Sequence, residues 1–118
     1  MLNKKSKIII LGDTSFIGKY LYDYFKKKYP KLNILGFNSK SLDLTKKVHI
    51  ENLLNIVDKN SIILLLSANK QQKNANIEVL NQNYKMIYNL NKVFEIKNPK
   101  KLIYFSSQVV FGESINNL

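Results

Sequence analysis

The chain contains no cysteine and no arginine, and only four glycines and two prolines in 118 residues. Without cysteine there are no disulfides, no thiolate chemistry and no cysteine-based metal site. The four aspartates and four glutamates are scattered without ligand spacing, so metal chemistry finds no support either. Apolar runs are short. None approaches the length of a membrane span, and the one nearest the amino terminus is too short for a signal peptide. These absences predict a soluble, cytoplasmic protein with no membrane partner. At this length the chain has room for one domain, residues 1–118, with a real core.

The missing arginine also bears on the formal charge of +11. Such a charge invites a nucleic-acid reading, but every cation is a lysine. Arginine's planar fork, the usual reader of guanine edges and phosphates, is missing. The lysines are dispersed, and Lys26, Lys27 and Lys28 fall where a helix ends and cations suit its dipole. A scattered lysine surface is the expectation, with no nucleic-acid partner.

What the chain does have is the stretch from Lys7 to Gly18. Lys7-Ile8-Ile9-Ile10-Leu11 reads as a buried strand that ends in a glycine turn, Gly12-Asp13-Thr14-Ser15-Phe16-Ile17-Gly18, and a helix follows at once. This arrangement holds a dinucleotide: the turn brings backbone close to a pyrophosphate, and free N–H groups at the helix start point at it. Gly12 supplies backbone angles other residues avoid, and Gly18 allows close packing of helix on strand. The spacing is Gly-x-x-Ser-x-x-Gly, not the general Gly-x-Gly-x-x-Gly.

Beyond the turn, Ile17, Leu21, Tyr24 and Phe25 recur at helical steps until Pro30 ends the helix. Leu32 to Phe37 reads as a second strand, followed by the polar Asn38-Ser39-Lys40-Ser41. Leu42-Asp43-Leu44 is a candidate for a very short third strand. Thr45 is the expected N-cap of a helix whose buried stripe is Ile50, Leu53, Leu54 and Val57. Ser61 to Leu66 reads as a strand covered on both faces, and a long polar loop runs from Ser67 to Asn74. A further helix carries Ile77, Leu80, Tyr84, Ile87, Leu90 and Phe94. Pro99 punctuates, and Lys101 to Ser106 reads as another buried strand. The alternation predicts an α/β fold with a doubly wound parallel sheet of about five strands. In such a sheet the turns after Leu11, Phe37, Leu66 and Phe105 share one rim, where ligands bind. Ser15, then Ser67-Ala68, then Ser106-Ser107 bring small or hydroxyl residues to it.

With these segments in order, the chain resembles the amino-terminal part of the extended short-chain dehydrogenases, the NAD-dependent epimerase/dehydratase family. Gly12 to Gly18 is similar to that family's Gly-x-x-Gly-x-x-Gly turn, with Ser15 for the middle glycine. Leu65-Leu66-Ser67-Ala68 is similar to its His-Leu-Ala-Ala segment. Asn83 stands at the asparagine of its next helix, with Met86 for a usual glycine. Lys101 to Gly112 resembles its fifth strand and Ser-Ser-x-x-Val-Tyr-Gly ending, with Phe111 for tyrosine.

The resemblance implies a Rossmann-like fold and a bound NAD or NADP that exchanges hydride with a nucleotide-sugar. The pyrophosphate is expected over Gly12, Thr14, Ser15, Phe16, Ile17 and Gly18. The adenine end is expected near Asp43 and Leu44, where the Asp43 carboxylate can accept from the adenine amino group; an aspartate that merely starts a helix is the other reading. Leu66, Ser67 and Ala68 belong to the same cofactor-binding set, the last two along the nicotinamide side. An NAD site usually carries a carboxylate about twenty residues past the glycine turn. Asn38 stands there instead, beside Ser39 and Lys40, which tips the expectation towards NADP.

By the same resemblance Ser107 is the hydroxyl that holds the substrate oxygen, with a later Tyr-x-x-x-Lys pair moving the proton. Three such spacings occur, Tyr22 with Lys26, Tyr24 with Lys28, and Tyr88 with Lys92. All precede Ser107 and fall inside helices away from the rim, so none is expected to be catalytic. The chain alone is therefore expected to be inactive, the front part of an enzyme or, alternatively, a non-catalytic nucleotide-binding module. His49, the single histidine, has no evident partner and reads as an ordinary surface residue remote from the rim. An unpaired edge at the last strand predicts self-association.

Overall fold

The computed structural model describes residues 2–66 and 77–105. Its element order is β1 (Lys7–Leu11), α1 (Phe16–Lys28), β2 (Asn33–Phe37), α2 (Lys47–Ile56), β3 (Ser61–Leu65), α3 (Ile77–Lys97) and β4 (Lys101–Tyr104). The four strands form one parallel sheet in the order β2-β1-β3-β4. In register, Ile9 of β1 lies between Leu35 of β2 and Ile63 of β3.

Alternation along the central strands sorts the core into two layers, because successive side chains of a strand point to opposite faces. Ile9, Leu11, Ile63 and Leu65 pack with Leu53 and Val57 from α2 and its end and with Leu90 and Val93 from α3. Ile8, Ile10, Ile34, Ile62 and Leu64 form the other layer, against Leu21, Tyr22 and Phe25 of α1. Helices on both faces of a parallel sheet make the doubly wound, Rossmann-like architecture. All five residues of β3 are buried, as its unbroken apolar run requires. At the start of β1 the Lys7 ammonium donates to the Ile56 carbonyl and lies 3.3 Å from an Asp58 carboxylate oxygen, tying the sheet to the end of α2. Among the described residues no helix is long and apolar enough to cross a membrane.

Five expectations are corrected. Leu42-Asp43-Leu44 is not a strand, and the doubly wound parallel sheet has four strands among the described residues. Leu42 and Leu44 enter the core, while the backbone finds partners outside any ladder: Leu42 N–H donates to the Asn38 carbonyl at 2.8 Å and the Leu44 carbonyl accepts from Asn89 Nδ2 at 2.8 Å. Thr45 does not cap α2; the N-cap is Lys46, without a side-chain bond, and Thr45 turns back to Asp43. In α1 Tyr22 joins Leu21 and Phe25 on the core, whereas Ile17 and Tyr24 are exposed.

In α3 the inward stripe is Met86, Leu90, Val93 and Phe94, and Ile77, Leu80, Tyr84 and Ile87 face outward. Both stripes step by three and four, so periodicity alone could not choose between them. Lastly, Lys101 to Tyr104 is exposed at every position rather than buried, since β4 pairs only with β3 among the described residues.

The α3 assignment is open to a direct check. Leu90→Ala should cost about 3 kcal/mol, as for a fully buried leucine. Ile87→Ala, one turn away, should change stability by less than about 0.5 kcal/mol. Urea denaturation of both variants distinguishes the stripes, and equal losses would contradict the packing described.

Candidate functional site

In a doubly wound sheet the ligand crevice opens where the strand order reverses, outside the carboxyl ends of the strands. Here that point lies between β1 and β3, where the chain leaves β1 for β2 on one side and later returns to β3 on the other. The sheet pairing continues right to this rim, with Leu66 N–H donating to the Leu11 carbonyl at 2.8 Å.

The glycine turn leaves β1 in a conformation only glycine adopts freely: Gly12 has φ of 108°. Its N–H and that of Asp13 both donate to the Phe37 carbonyl, at 2.7 and 3.1 Å, which fastens the turn to the end of β2. Ser15 is then the N-cap of α1, with φ −67° and ψ 161°. That is ordinary extended backbone, so no glycine is needed at this position. Its Oγ accepts from Gly18 N–H at 3.0 Å and donates to the Gly12 carbonyl at 2.8 Å. Serine thus closes the turn that the glycine of the fingerprint leaves open.

Gly18 is indispensable for a different reason. A Cβ there would sit 2.0 Å from the Gly12 carbonyl oxygen, so α1 rests directly on the turn backbone. With Gly18 N–H taken by Ser15, the first-turn N–H groups of Phe16 and Ile17 have no acceptor among the described residues, as helix geometry dictates. They sit at the positive end of α1, at the carboxyl end of β1. Phe16 holds its own side chain almost wholly in solvent.

Sequence reasoning overlooked two residues beneath this turn. The Asp13 side chain lies over Gly36 of β2, where an added Cβ would come within 2.8 Å of Asp13 Oδ2. Asp13 Oδ1 is buried and has no hydrogen-bond partner. A glycine interrupting an otherwise apolar strand was the signal, since it marks close approach by another group.

The second half of the rim is the loop after β2. Asn38 Oδ1 accepts from the N–H groups of Lys40 and Ser41, at 2.8 and 3.0 Å, and the Asn38 N–H donates to Ser41 Oγ at 2.9 Å. The loop is thus folded on Asn38, and Lys40 is left exposed beside it. Asp43 Oδ1 accepts from Thr45 N–H at 2.9 Å and from Thr45 Oγ1 at 2.7 Å. These two bonds from Thr45 are the main reason its carboxyl lies below the usual carboxylate range, with Lys46 and His49 adding in the same direction against some burial.

The reading of His49 as an unpartnered surface residue is corrected. It is half-buried, and its Nδ1 accepts from the Asp43 backbone N–H at 2.6 Å. Asn89 of α3 was also missed; its bond to the Leu44 carbonyl closes the same loop from the other side. Neither residue carries a sequence motif, and both bonds span a loop whose shape is set by tertiary contacts.

The three Tyr-x-x-x-Lys spacings are helix-surface pairs. Lys28 Nζ donates to Tyr24 Oη at 3.0 Å in the last turn of α1, and this bond chiefly raises the ammonium pKa. Lys26 and Lys92 lie over the rings of Tyr22 and Tyr88, at 5.6 and 4.7 Å from the centroids. Ser67, Ala68 and Ser107 lie outside the described residues. No group of three histidine, aspartate or glutamate side chains able to hold a metal occurs among the described residues.

Comparison with known proteins gives three findings. The model of the NAD dependent epimerase/dehydratase family matches residues 8–117. No curated protein matches by sequence. Solved structures share the fold. ADP-L-glycero-D-manno-heptose-6-epimerase of Helicobacter pylori superposes with a TM-score of 0.78 at 19% identity, covering 97% of this chain and 44% of that one. GDP-D-glycero-L-gluco-heptose synthase of Campylobacter jejuni, solved in the presence of NADPH, gives 0.77 at 21%, covering 100% and 35%. GDP-mannoheptose C4 reductase of the same organism, with NADP bound, gives 0.75 at 20%, covering 98% and 35%. The chain therefore spans well under half the length of these neighbours.

The Asp43 bonds make a pH prediction. Because the folded carboxyl titrates below the ordinary value of 3.8, its contribution is present above that pH and is lost as pH falls through the depressed value. Wild type should exceed Asp43→Asn in stability by a constant margin at neutral pH, and the margin should shrink only in acid below the ordinary value. Urea denaturation at a series of pH values measures it; a margin unchanged on acidification would contradict the assignment.

Proposed function

The chain belongs to the NAD-dependent epimerase/dehydratase family, and from that premise we propose that it is the dinucleotide-binding portion of an enzyme acting on a nucleotide-sugar. The observation that carries this is the pair of unpartnered amides of Phe16 and Ile17, held at the positive end of α1 over the carboxyl end of β1. A pyrophosphate is the anion that such a pair suits, and Thr14, Ser15 and the backbone of Gly12 and Gly18 line its path. Asp43 Oδ2 and the Leu44 backbone suit the adenine end, since Oδ1 is already occupied by Thr45. Leu66, Ser67 and Ala68 would flank the nicotinamide side. Ser107 would hold the substrate oxygen.

The residues present fit the group, and they do so with backbone donors and one free carboxylate oxygen. When bound, the nicotinamide supplies the hydride chemistry. What this chain's described residues do is bind and orient: Gly12 and Gly18 allow close approach, and Phe16 and Ile17 donate to phosphate oxygens. The tyrosine–lysine pairs of α1 and α3 take no part, because they stabilise helix surfaces.

NADP is the proposed dinucleotide. Asn38 stands where a carboxylate would otherwise bond the ribose 2′-hydroxyl, and the exposed Lys40 adds positive charge beside it. Phe16→Pro tests the phosphate site cleanly. Proline is favoured at the first helical position, and the extended Ser15 before it satisfies proline's demand on its neighbour, so the fold should survive. Calorimetry should show NADP binding weakened about ten-fold by loss of one charge-assisted donor, with Phe16→Ala as the control for the side chain. NADP binding unaltered in Phe16→Pro would sink the phosphate assignment. Lys40→Glu should lower the NADP to NAD affinity ratio, and an unchanged ratio would remove the preference for NADP.

The strand β4, which pairs only with β3 among the described residues, is proposed as a self-association edge. Leu102, Ile103 and Tyr104 are all exposed, and an apolar edge is a template for another strand. Charge repulsion opposes this, and salt screens it over about 10 Å at 0.1 M. Light-scattering mass should therefore rise along a salt series; a monomer at every concentration would contradict the proposal.

A further inference from the structure

His49 is placed to do more than occupy a helix surface. It lies in the first turn of α2, and its Nδ1 accepts from the Asp43 backbone N–H at 2.6 Å. An imidazole nitrogen that accepts carries no proton, so the neutral ring must hold its hydrogen on Nε2. Asp43 is thereby clamped from two sides: His49 takes its N–H, and Thr45 donates twice to its Oδ1. Both bonds from Thr45 go to Oδ1, which leaves Oδ2 to accept from a ligand. The neighbouring Leu44 carbonyl is held by Asn89 of α3, so the loop's backbone has few other ways to rest.

We propose that neutral His49 is the positioning residue of the adenine site, and that its protonation releases the Asp43 loop and weakens dinucleotide binding. The proposal rests on the dinucleotide reading given above. Protonation fills the Nδ1 lone pair, turning an acceptor into a donor that faces the Asp43 N–H across a bond that no longer exists. The Asp43 carboxylate interacts electrostatically with both Lys46 and His49. From α3, packed against α2, the uncharged Asn89 reaches this loop. The imidazolium and the Asp43 carboxylate attract each other, so the freed loop would turn the carboxylate inward to His49. That is the group the adenine amino function needs outside.

Asparagine separates a clamp that titrates from one that does not. Its Oδ1 stands two bonds beyond Cβ, as does Nδ1 of histidine, and accepts at any pH. Calorimetry with NAD and with NADP, at about pH 5.5 and about pH 8, applies to wild type, His49→Asn and His49→Leu. The asparagine variant subtracts the ionisation of the NADP 2′-phosphate. Wild-type affinity, referred to His49→Asn, should fall about five-fold at the lower pH, the size of one ordinary hydrogen bond. His49→Leu should bind weakly at both pH values, and His49→Asn as tightly as wild type at the higher one. Wild type tracking His49→Asn at both pH values, or His49→Leu matching wild type at the higher pH, overturns the role of His49 alone. Failure of wild type to bind either dinucleotide at any pH overturns the dinucleotide reading itself, and this proposal with it.

Discussion

The contact between α1 and the end of β1 governs this molecule. No atom larger than hydrogen fits on the Cα of Gly18 without meeting the Gly12 carbonyl oxygen. The helix therefore starts where the strand stops, with no loop long enough to let its axis wander. Two further bonds from Gly12 and Asp13 to Phe37 anchor that corner to β2. The consequence is electrostatic. The amides of Phe16 and Ile17 are presented at a fixed place over the sheet's switch point, and their partial positive charge needs no rearrangement to meet an anion.

The other half of the site is built differently. The loop from Asn38 to Lys46 has no ladder to hold it. It is shaped by side chains from three places: Asn38 folding its start, Thr45 and His49 holding Asp43, and Asn89 holding Leu44. Leu42 and Leu44 bury themselves in the layer under α2 and α3, so the loop is pinned by its apolar residues and adjusted by its polar ones. A corner fixed by backbone contact is thus joined to a loop held by the polar side chains of Asn38, Thr45, His49 and Asn89.

How much of this could be read from residues follows the same division. The strand–glycine–helix corner was legible because its requirements are local: an apolar run, a glycine at positive φ, a glycine at a close contact and a cap. The two-faced burial of β3 was equally plain in its unbroken apolar run. The buried stripe of α3 was legible only in Leu90 and Phe94, because two apolar stripes share that helix, and which one turns inward earlier in it is decided by the sheet beneath. Leu42-Asp43-Leu44 has a strand's alternation, yet its two leucines are drawn into the core, its first two N–H groups donate to Asn38 and His49, and its last carbonyl accepts from Asn89. His49 was invisible because the loop that brings the Asp43 N–H to it is shaped by tertiary contacts, whereas Asp13 left a trace in Gly36.

The central claim is that the first-turn amides of α1 receive the dinucleotide's pyrophosphate. Amide NMR of the isotope-labelled chain, titrated with NADP, reads it most directly. The account predicts that the Phe16 and Ile17 resonances move furthest and saturate together, while those of Gly18, already bonded to Ser15, and of the far end of α1 move little. Resonances of Phe16 and Ile17 that stay in place while NADP binds elsewhere would contradict it.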